Sequence, residues 1–405
     1  MAGSMMSAAT LGFVPERLKR IDTWMARNRE SGRYTGGSLL LLRGGEEAHF
    51  CVDGLRSVGR GEAYERDTIV RIYSMSKIVT SMALAMLMER GEVHLEAPVS
   101  DFIPEFAKPQ ALIGGAVRDD QTEPAAVPTL AQLLTHSSGL TYSFNPGLAA
   151  RIYEREKVDF GPGRGVLADM CAHVAAQPLA FQPGMKWEYS VGLDVIGRVI
   201  EVITGKPLDD VLRTWILEPL GMKDTAFSVP KSKVGRFADC YWKTEDDPRA
   251  LLDSGTDSSF AEDKVTMFSG GGGLVSTLDD YARFGEMIRR GGALDDQRLL
   301  SPMTMDFLRR NFLKGDIASM GAESFMEMPM NGMGFGIGGA VLLDPALARM
   351  PGSVGDFGWG GMASTYFWTD PVKELTCVYF TQLVPSSSYP SRMELKALVQ
   401  AALID

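Results

Sequence analysis

Ser74 and Lys77, in the run Arg71-Ile72-Tyr73-Ser74-Met75-Ser76-Lys77, have the types and the spacing for covalent chemistry. A β-type stretch from Thr68 to Tyr73 ends at Ser74. Beyond it the chain is apolar on nearly every side from Ile78 through Met88, and Gly91 is placed to stop it. A helix apolar all round belongs in a core, so its first turn carries Ser74 and Lys77 to the mouth of a buried element. Residues three apart on a helix share a face, which brings the lysine amine within reach of the serine hydroxyl. A serine is a weak nucleophile until a base takes its proton, and a desolvated lysine can be that base. The spacing alone decides little. It recurs at Ser228-Val229-Pro230-Lys231, where the proline and Lys231-Ser232-Lys233 mark a surface loop. A serine in the place of Ser74 is also an ordinary helix cap.

Two further segments offer partners. In Pro183-Gly184-Met185-Lys186-Trp187-Glu188-Tyr189-Ser190-Val191 a turn presents Tyr189 just before a helix. A phenol beside an ammonium loses its proton more easily and can pass one to a leaving group; a half-buried packing tyrosine is the plainer reading. In Gly355-Asp356-Phe357-Gly358-Trp359-Gly360-Gly361-Met362, glycines let backbone approach a ligand closely, and an amide at the strand edge supplies an oxyanion donor. A glycine-rich turn before a hairpin explains the same residues.

Other motifs fall away. Gly334-Phe335-Gly336-Ile337-Gly338-Gly339 has dinucleotide-like spacing, but a strand follows it, whereas phosphate binding needs a helix N-terminus. The histidines at 49, 94, 136 and 173 share no ligand spacing, so no metal site is expected. No serine has glycine two residues before and two after it, as a nucleophile elbow requires.

The elements that must position these residues follow from periodicity. Residues 14–30 form an amphipathic helix with Leu18, Ile21, Trp24 and Met25 on one stripe. Gly37–Arg43 and His49–Ser57 read as strands joined at Gly44-Gly45. Helical patterns occupy 129–134, 148–178 and 193–219, while 239–266 is polar and weakly patterned, a long loop. After the glycine run 270–273 comes a helix over 278–290. Strands are expected at Ala340–Leu343, Ser364–Thr369 and Glu374–Leu383, then a closing helix near 392–403. Strands at both ends with helices between predict a sheet domain from 1–95 and 265–405 and a mainly helical lobe from 96–264.

The chain has 405 residues, 45% hydrophobic and 23% charged, and a net charge of −10 with its cations scattered. That argues against nucleic acid or an anionic membrane as partner. No apolar run approaches the ~18 residues of a membrane span, and the N-terminus shows no secretory pattern. Cys51, Cys171, Cys240 and Cys377 lie far apart, so free thiols in a reducing, cytoplasmic setting are expected.

Together the three segments resemble the serine β-lactamase and penicillin-binding-protein superfamily, most closely its family VIII carboxylesterases. Ser74-Met75-Ser76-Lys77 resembles the Ser-x-x-Lys motif. Tyr189-Ser190-Val191 stands where the superfamily has Tyr-x-Asn, and Trp359-Gly360-Gly361 is similar to the Trp-Gly-Gly that these esterases carry in place of Lys-Thr-Gly. Leu133–Leu140 and Gly270–Thr277 are also family-like, and the likeness runs over about residues 14–400.

The resemblance implies an α+β fold of the β-lactamase/transpeptidase type, an antiparallel sheet flanked by helices plus the mainly helical lobe. It implies Ser74 as nucleophile, Lys77 and Tyr189 sharing the base role, and the amides of Ser74 and Met362 as oxyanion donors. Trp359, Gly360, Gly361 and Val191 fall to substrate binding, with no cofactor or metal. Val191 replaces an amide and Trp359 a lysine that would pair with a β-lactam carboxylate. Losing such a charge-assisted contact points to short-chain neutral esters as substrates, with at most weak β-lactam hydrolysis. An acyltransferase using the same residues, or a non-catalytic binding or scaffold protein on the same fold, is the alternative. A homodimer is left open.

Overall fold

Leu39-Leu40-Leu41-Leu42 is apolar throughout and Leu375-Thr376-Cys377-Val378-Tyr379-Phe380 nearly so, without alternation, as strands buried on both faces are. The computed structural model, which describes residues 7–404, places both at the centre of one eight-stranded sheet. In chain order the elements that position the site are α1 (Pro15–Glu30), β1 (Gly36–Arg43), β2 (Glu46–Ser57), β3 (Glu62–Ala63), α2 (Ser76–Glu89), α3 (Gly192–Thr204) and α4 (Leu278–Arg289). They continue with β4 (Met333–Phe335), β5 (Ala340–Leu342), β6 (Phe357–Gly360), β7 (Tyr366–Asp370), β8 (Leu375–Phe380) and α5 (Ser391–Ala402). The sheet order is β4-β5-β6-β7-β8-β1-β2-β3, each neighbour antiparallel. This is the β-lactamase/transpeptidase-like α+β fold.

Alternation along each strand sorts side chains between two layers. Leu39, Leu41, Cys51, Trp368, Cys377 and Tyr379 face one cluster with Leu18, Ile21 and Trp24 of α1 and Leu395 and Val399 of α5. Leu40, Phe367, Val378 and Phe380 face the other, with α2, α3 and α4. α2 is buried nearly all round, including Ile78, Val79, Met82, Leu84 and Leu87. Each such side chain is worth about 1.5–3 kcal/mol, so the helix carrying Lys77 is fixed in place.

Several expected elements are shorter or broken. The 148–178 helix is two, Leu148–Arg155 and Leu167–Ala175, separated by a turn with Gly163 and Gly165 at positive φ. The 193–219 helix stops at Thr204, because Gly205 takes a left-handed conformation and Pro207 follows. The strand expected from Ser364 begins at Tyr366, since Ser364 has a φ of 65°. Residues 239–266 are not one loop: Cys240–Trp242 pairs with Ala250–Asp253, and Leu383–Val384 joins that pair in parallel. The glycine run at 334–339 is the turn between β4 and β5, with no helix after it. No helix among the described residues is long and apolar enough to cross a membrane.

Candidate active site

The chain reaches Ser74 through a strained turn. Val70–Arg71 pairs with Val275–Ser276, then Tyr73 adopts a φ of 43° and a 3₁₀ turn runs over Tyr73–Met75 into α2. A positive φ is rare for a bulky side chain and costs ~1–3 kcal/mol. The neighbourhood that holds it is polar and buried. The Arg71 guanidinium is fully enclosed, paired with Asp253, donating to the Ala238 carbonyl at 2.7 Å and lying over the Phe237 ring.

Lys77 is completely buried. Its Nζ lies 3.3 Å from Ser74 Oγ, 2.9 Å from Tyr142 Oη and 2.6 Å from the Gly271 carbonyl oxygen. Three acceptors around it offset the cost of enclosing an amine. Asp194, on α3 beneath it, supplies negative charge at one remove. Its Oδ1 accepts from Ser269 Oγ at 2.5 Å and from the Gly271 amide at 3.0 Å. Burial raises the Asp194 carboxyl above its ordinary value, while Lys77 and these bonds pull it back. Position 271 takes only glycine, because a Cβ there would strike the Asp194 carboxylate.

Tyr189 is placed beside Lys77, but ring-first: Nζ sits 4.7 Å from the ring centroid. The Tyr189 hydroxyl instead accepts from Trp359 Nε1 at 3.1 Å. The tyrosine hydroxyl bonded to Lys77 is that of Tyr142, which burial holds well above the ordinary phenol range and therefore protonated. His136 packs 4.6 Å from the Tyr189 ring, and its Nδ1 accepts from the Ser190 amide at 3.2 Å. Accepting there puts its proton on Nε2; burial first and Lys77 second hold it neutral, well below the usual histidine value. Val191 caps the start of α3, with its side chain buried in the core.

Trp359, Gly360 and Gly361 alternate across β6 and its end. Trp359 faces Tyr189 and stacks at 5.7 Å on Phe325, which a short hairpin (Ser324–Phe325 with Met328–Pro329) carries over it. A Cβ on Gly361 would strike the Ile72 carbonyl, just ahead of Ser74. One on Gly360 points the other way, into the Arg392 guanidinium of α5. Each glycine is dictated by a different layer. The amides of Ser74 and Met362 make no hydrogen bond with other described residues, and Met362 packs in the same small cluster as Tyr73.

Sequence reasoning missed Tyr142, Asp194 and Phe325. Asp194 left a signal, an acid among apolar residues in the first turn of its helix. Tyr142 and Phe325 left none, because what they touch is set by tertiary packing.

The family model described as Beta-lactamase matches residues 21–401, and the chain belongs to that family. Within it, Protein Rv1367c of Mycobacterium tuberculosis is 36% identical over 83% of this chain and 82% of its own. Esterase EstB of Burkholderia gladioli is 32% identical over 89% of each. Among solved structures, "EstCE1, a hydrolase with promiscuous acyltransferase activity" superposes with a TM-score of 0.79 at 25% identity, covering 95% of this chain and 98% of its own.

Proposed function

We propose that this chain is a serine carboxylesterase acting on uncharged, apolar, short-chain esters through an acyl-enzyme on Ser74. The observation that carries the reading is the buried Lys77 amine, 3.3 Å from Ser74 Oγ and bonded to a tyrosine hydroxyl. Ser74 Oγ attacks the ester carbonyl as the Lys77 amine takes its proton. The amides of Ser74 and Met362 hold the developing oxyanion, a few kcal/mol of barrier lowering per donor in comparable sites. The proton leaves Lys77 through a tyrosine hydroxyl to the departing alkoxide; a water then reverses the sequence and frees the acid. Tyr142 is bonded for this relay as it stands, and Tyr189 joins once its hydroxyl exchanges the Trp359 indole for substrate.

Specificity follows from the walls. Trp359, Phe325, Tyr189 and the exposed Phe144, stacked on Tyr142, line the approach with aromatic surface. The cations nearest Trp-Gly-Gly are Arg392 and Lys396, paired with Glu327 and Asp356. Arg392 lies on the side of β6 away from Ser74. A β-lactam carboxylate would meet the Trp359 indole where the superfamily's lysine would pair with it.

The name of EstB and the hydrolase activity of EstCE1 support ester hydrolysis, and the promiscuous acyltransferase activity of EstCE1 keeps acyl transfer as the second reading. Purified protein is incubated with p-nitrophenyl butyrate with and without an acceptor alcohol, and treated separately with a serine-reactive phosphonate. Free butyrate as the main product, and a phosphonate adduct on the Ser74 peptide, are expected. A butyrate ester as the main product makes it an acyltransferase. Ser74→Ala activity within about tenfold of the parent overturns the nucleophile assignment, because activation of that nucleophile is the centre of the mechanism.

A further inference from the structure

On the sheet face covered by α1 and α5, away from Ser74, three groups of different chemistry converge. His49 and Cys51 alternate to the same side of β2, and Asp22 reaches them from α1. A ring nitrogen of His49, Cys51 Sγ and an Asp22 carboxylate oxygen all lie within 4.8 Å of one another, and His49 Nε2 is only 2.8 Å from Asp22 Oδ1. Cys51 is buried, while the side chains of His49 and Asp22 are 15% and 47% exposed.

We propose that Asp22, His49 and Cys51 form a binding site for a divalent transition-metal ion of the zinc class. The donor set selects the metal. Sulfur and imidazole suit Zn²⁺ or Co²⁺ and not Mg²⁺ or Ca²⁺, which take oxygen. Three protein ligands leave one tetrahedral position, and the half-exposed Asp22 side opens it to solvent water. Binding breaks the S–H bond, forms a sulfur–metal bond and releases the proton to solvent. The ion would tie α1 to β2 without touching the catalytic residues, so this site stands or falls apart from the esterase reading.

The test uses the full chain, reduced and freed of metal by chelator, titrated with Co²⁺. A thiolate-to-cobalt charge-transfer band in the near ultraviolet, saturating at one ion per chain and displaced by Zn²⁺, is expected. Cys51→Ser should abolish the band and Cys171→Ser, at another buried thiol, should keep it. His49→Gln should weaken cobalt binding at least ~10–100-fold, the loss seen even for outer-shell partners of metal ligands. Ester hydrolysis should persist in all three variants and reports that they are folded. The proposal is overturned if the parent shows no band at stoichiometric Co²⁺, or if the band survives Cys51→Ser. Should Cys51→Ser not fold, undiminished cobalt binding in His49→Gln overturns it equally.

Discussion

At the scale of the residue, Lys77 is defined by what surrounds it. A buried amine with acceptors from a serine, a tyrosine and a backbone carbonyl is oriented before substrate arrives, and each neighbour has its own measurable share. Tyr142→Phe removes the hydroxyl that Lys77 contacts and keeps the ring stacked on Phe144. Its kcat should fall ~100-fold, the ordinary worth of a general acid–base group; a value within tenfold of the parent removes Tyr142 from the relay. Tyr189→Phe should cost a similar factor. If it lowers only thermal stability, the packing of Tyr189 against Lys77, His136 and Phe325 is its whole contribution. Asp194→Asn keeps size and one acceptor but removes the charge behind Gly271. The bonds from Ser269 Oγ and the Gly271 amide then lose their charge assistance and the Gly271 carbonyl that orients Lys77 is held less firmly, so kcat should fall while KM holds, and Asp194→Glu should not rescue it in so tight a cavity. Ser74 and Lys77 were legible in the sequence because i,i+3 geometry is local. Tyr142 reaches Lys77 from 65 positions along the chain and Asp194 acts on it through Gly271, an arrangement that no local pattern encodes.

At the scale of the element, β6 does two jobs on its two sides, and its glycines report them separately. Gly361→Ala pushes a methyl against the Ile72 carbonyl and Thr365, separating the strand end from the turn that carries Ser74. The Met362 amide moves with it, and a displacement of about 1 Å can cost ~100-fold in rate; kcat should drop by that order. Gly360→Ala instead meets Arg392, on the far layer, so the expected loss is in Tm, with the smaller effect on kcat. Equal kcat losses would refute the two-sided account of this strand. Elements of this kind were readable where burial imposed a pattern: α1 by its stripe, α2 by its largely apolar run, β1 and β8 by their predominance of apolar residues. The Cys240–Asp253 hairpin was not, because Thr244 through Arg249 is polar and its pairing partner, Leu383–Val384, lies far along the chain. The broken helices failed at glycine and proline, which periodicity alone does not weigh.

At the scale of the whole molecule, the chain encloses titratable groups such as Asp194, Asp356, His136 and Lys396 around one sheet, so its stability has a pH dependence that can be assigned. The order of strands, helices and strands was visible in the sequence; the side of the sheet each buried charge would occupy was not. Two kinds of group oppose each other below neutral pH. Burial pushes the Asp356 carboxyl up to about 6 despite Lys396, so the folded state holds a proton that the unfolded chain gives up, and stability from this group falls as pH rises from ~4 towards that value. His136 acts the other way. Folded, it stays neutral well below the usual histidine range, whereas the unfolded chain binds a proton below ~6.5. The unfolded state then carries the extra proton, and stability is lost as pH falls, by up to ~1.4 kcal/mol per pH unit. Comparison with His136→Asn isolates this contribution, because an Asn oxygen can still accept from the Ser190 amide and the carboxylates are common to both proteins. Urea unfolding at pH 7.5, 6 and 5 should show the parent losing more stability than the variant as pH drops. A difference that does not change with pH would mean that folded His136 takes up its proton at the ordinary value, and that the neutral imidazole against Tyr189 is misassigned.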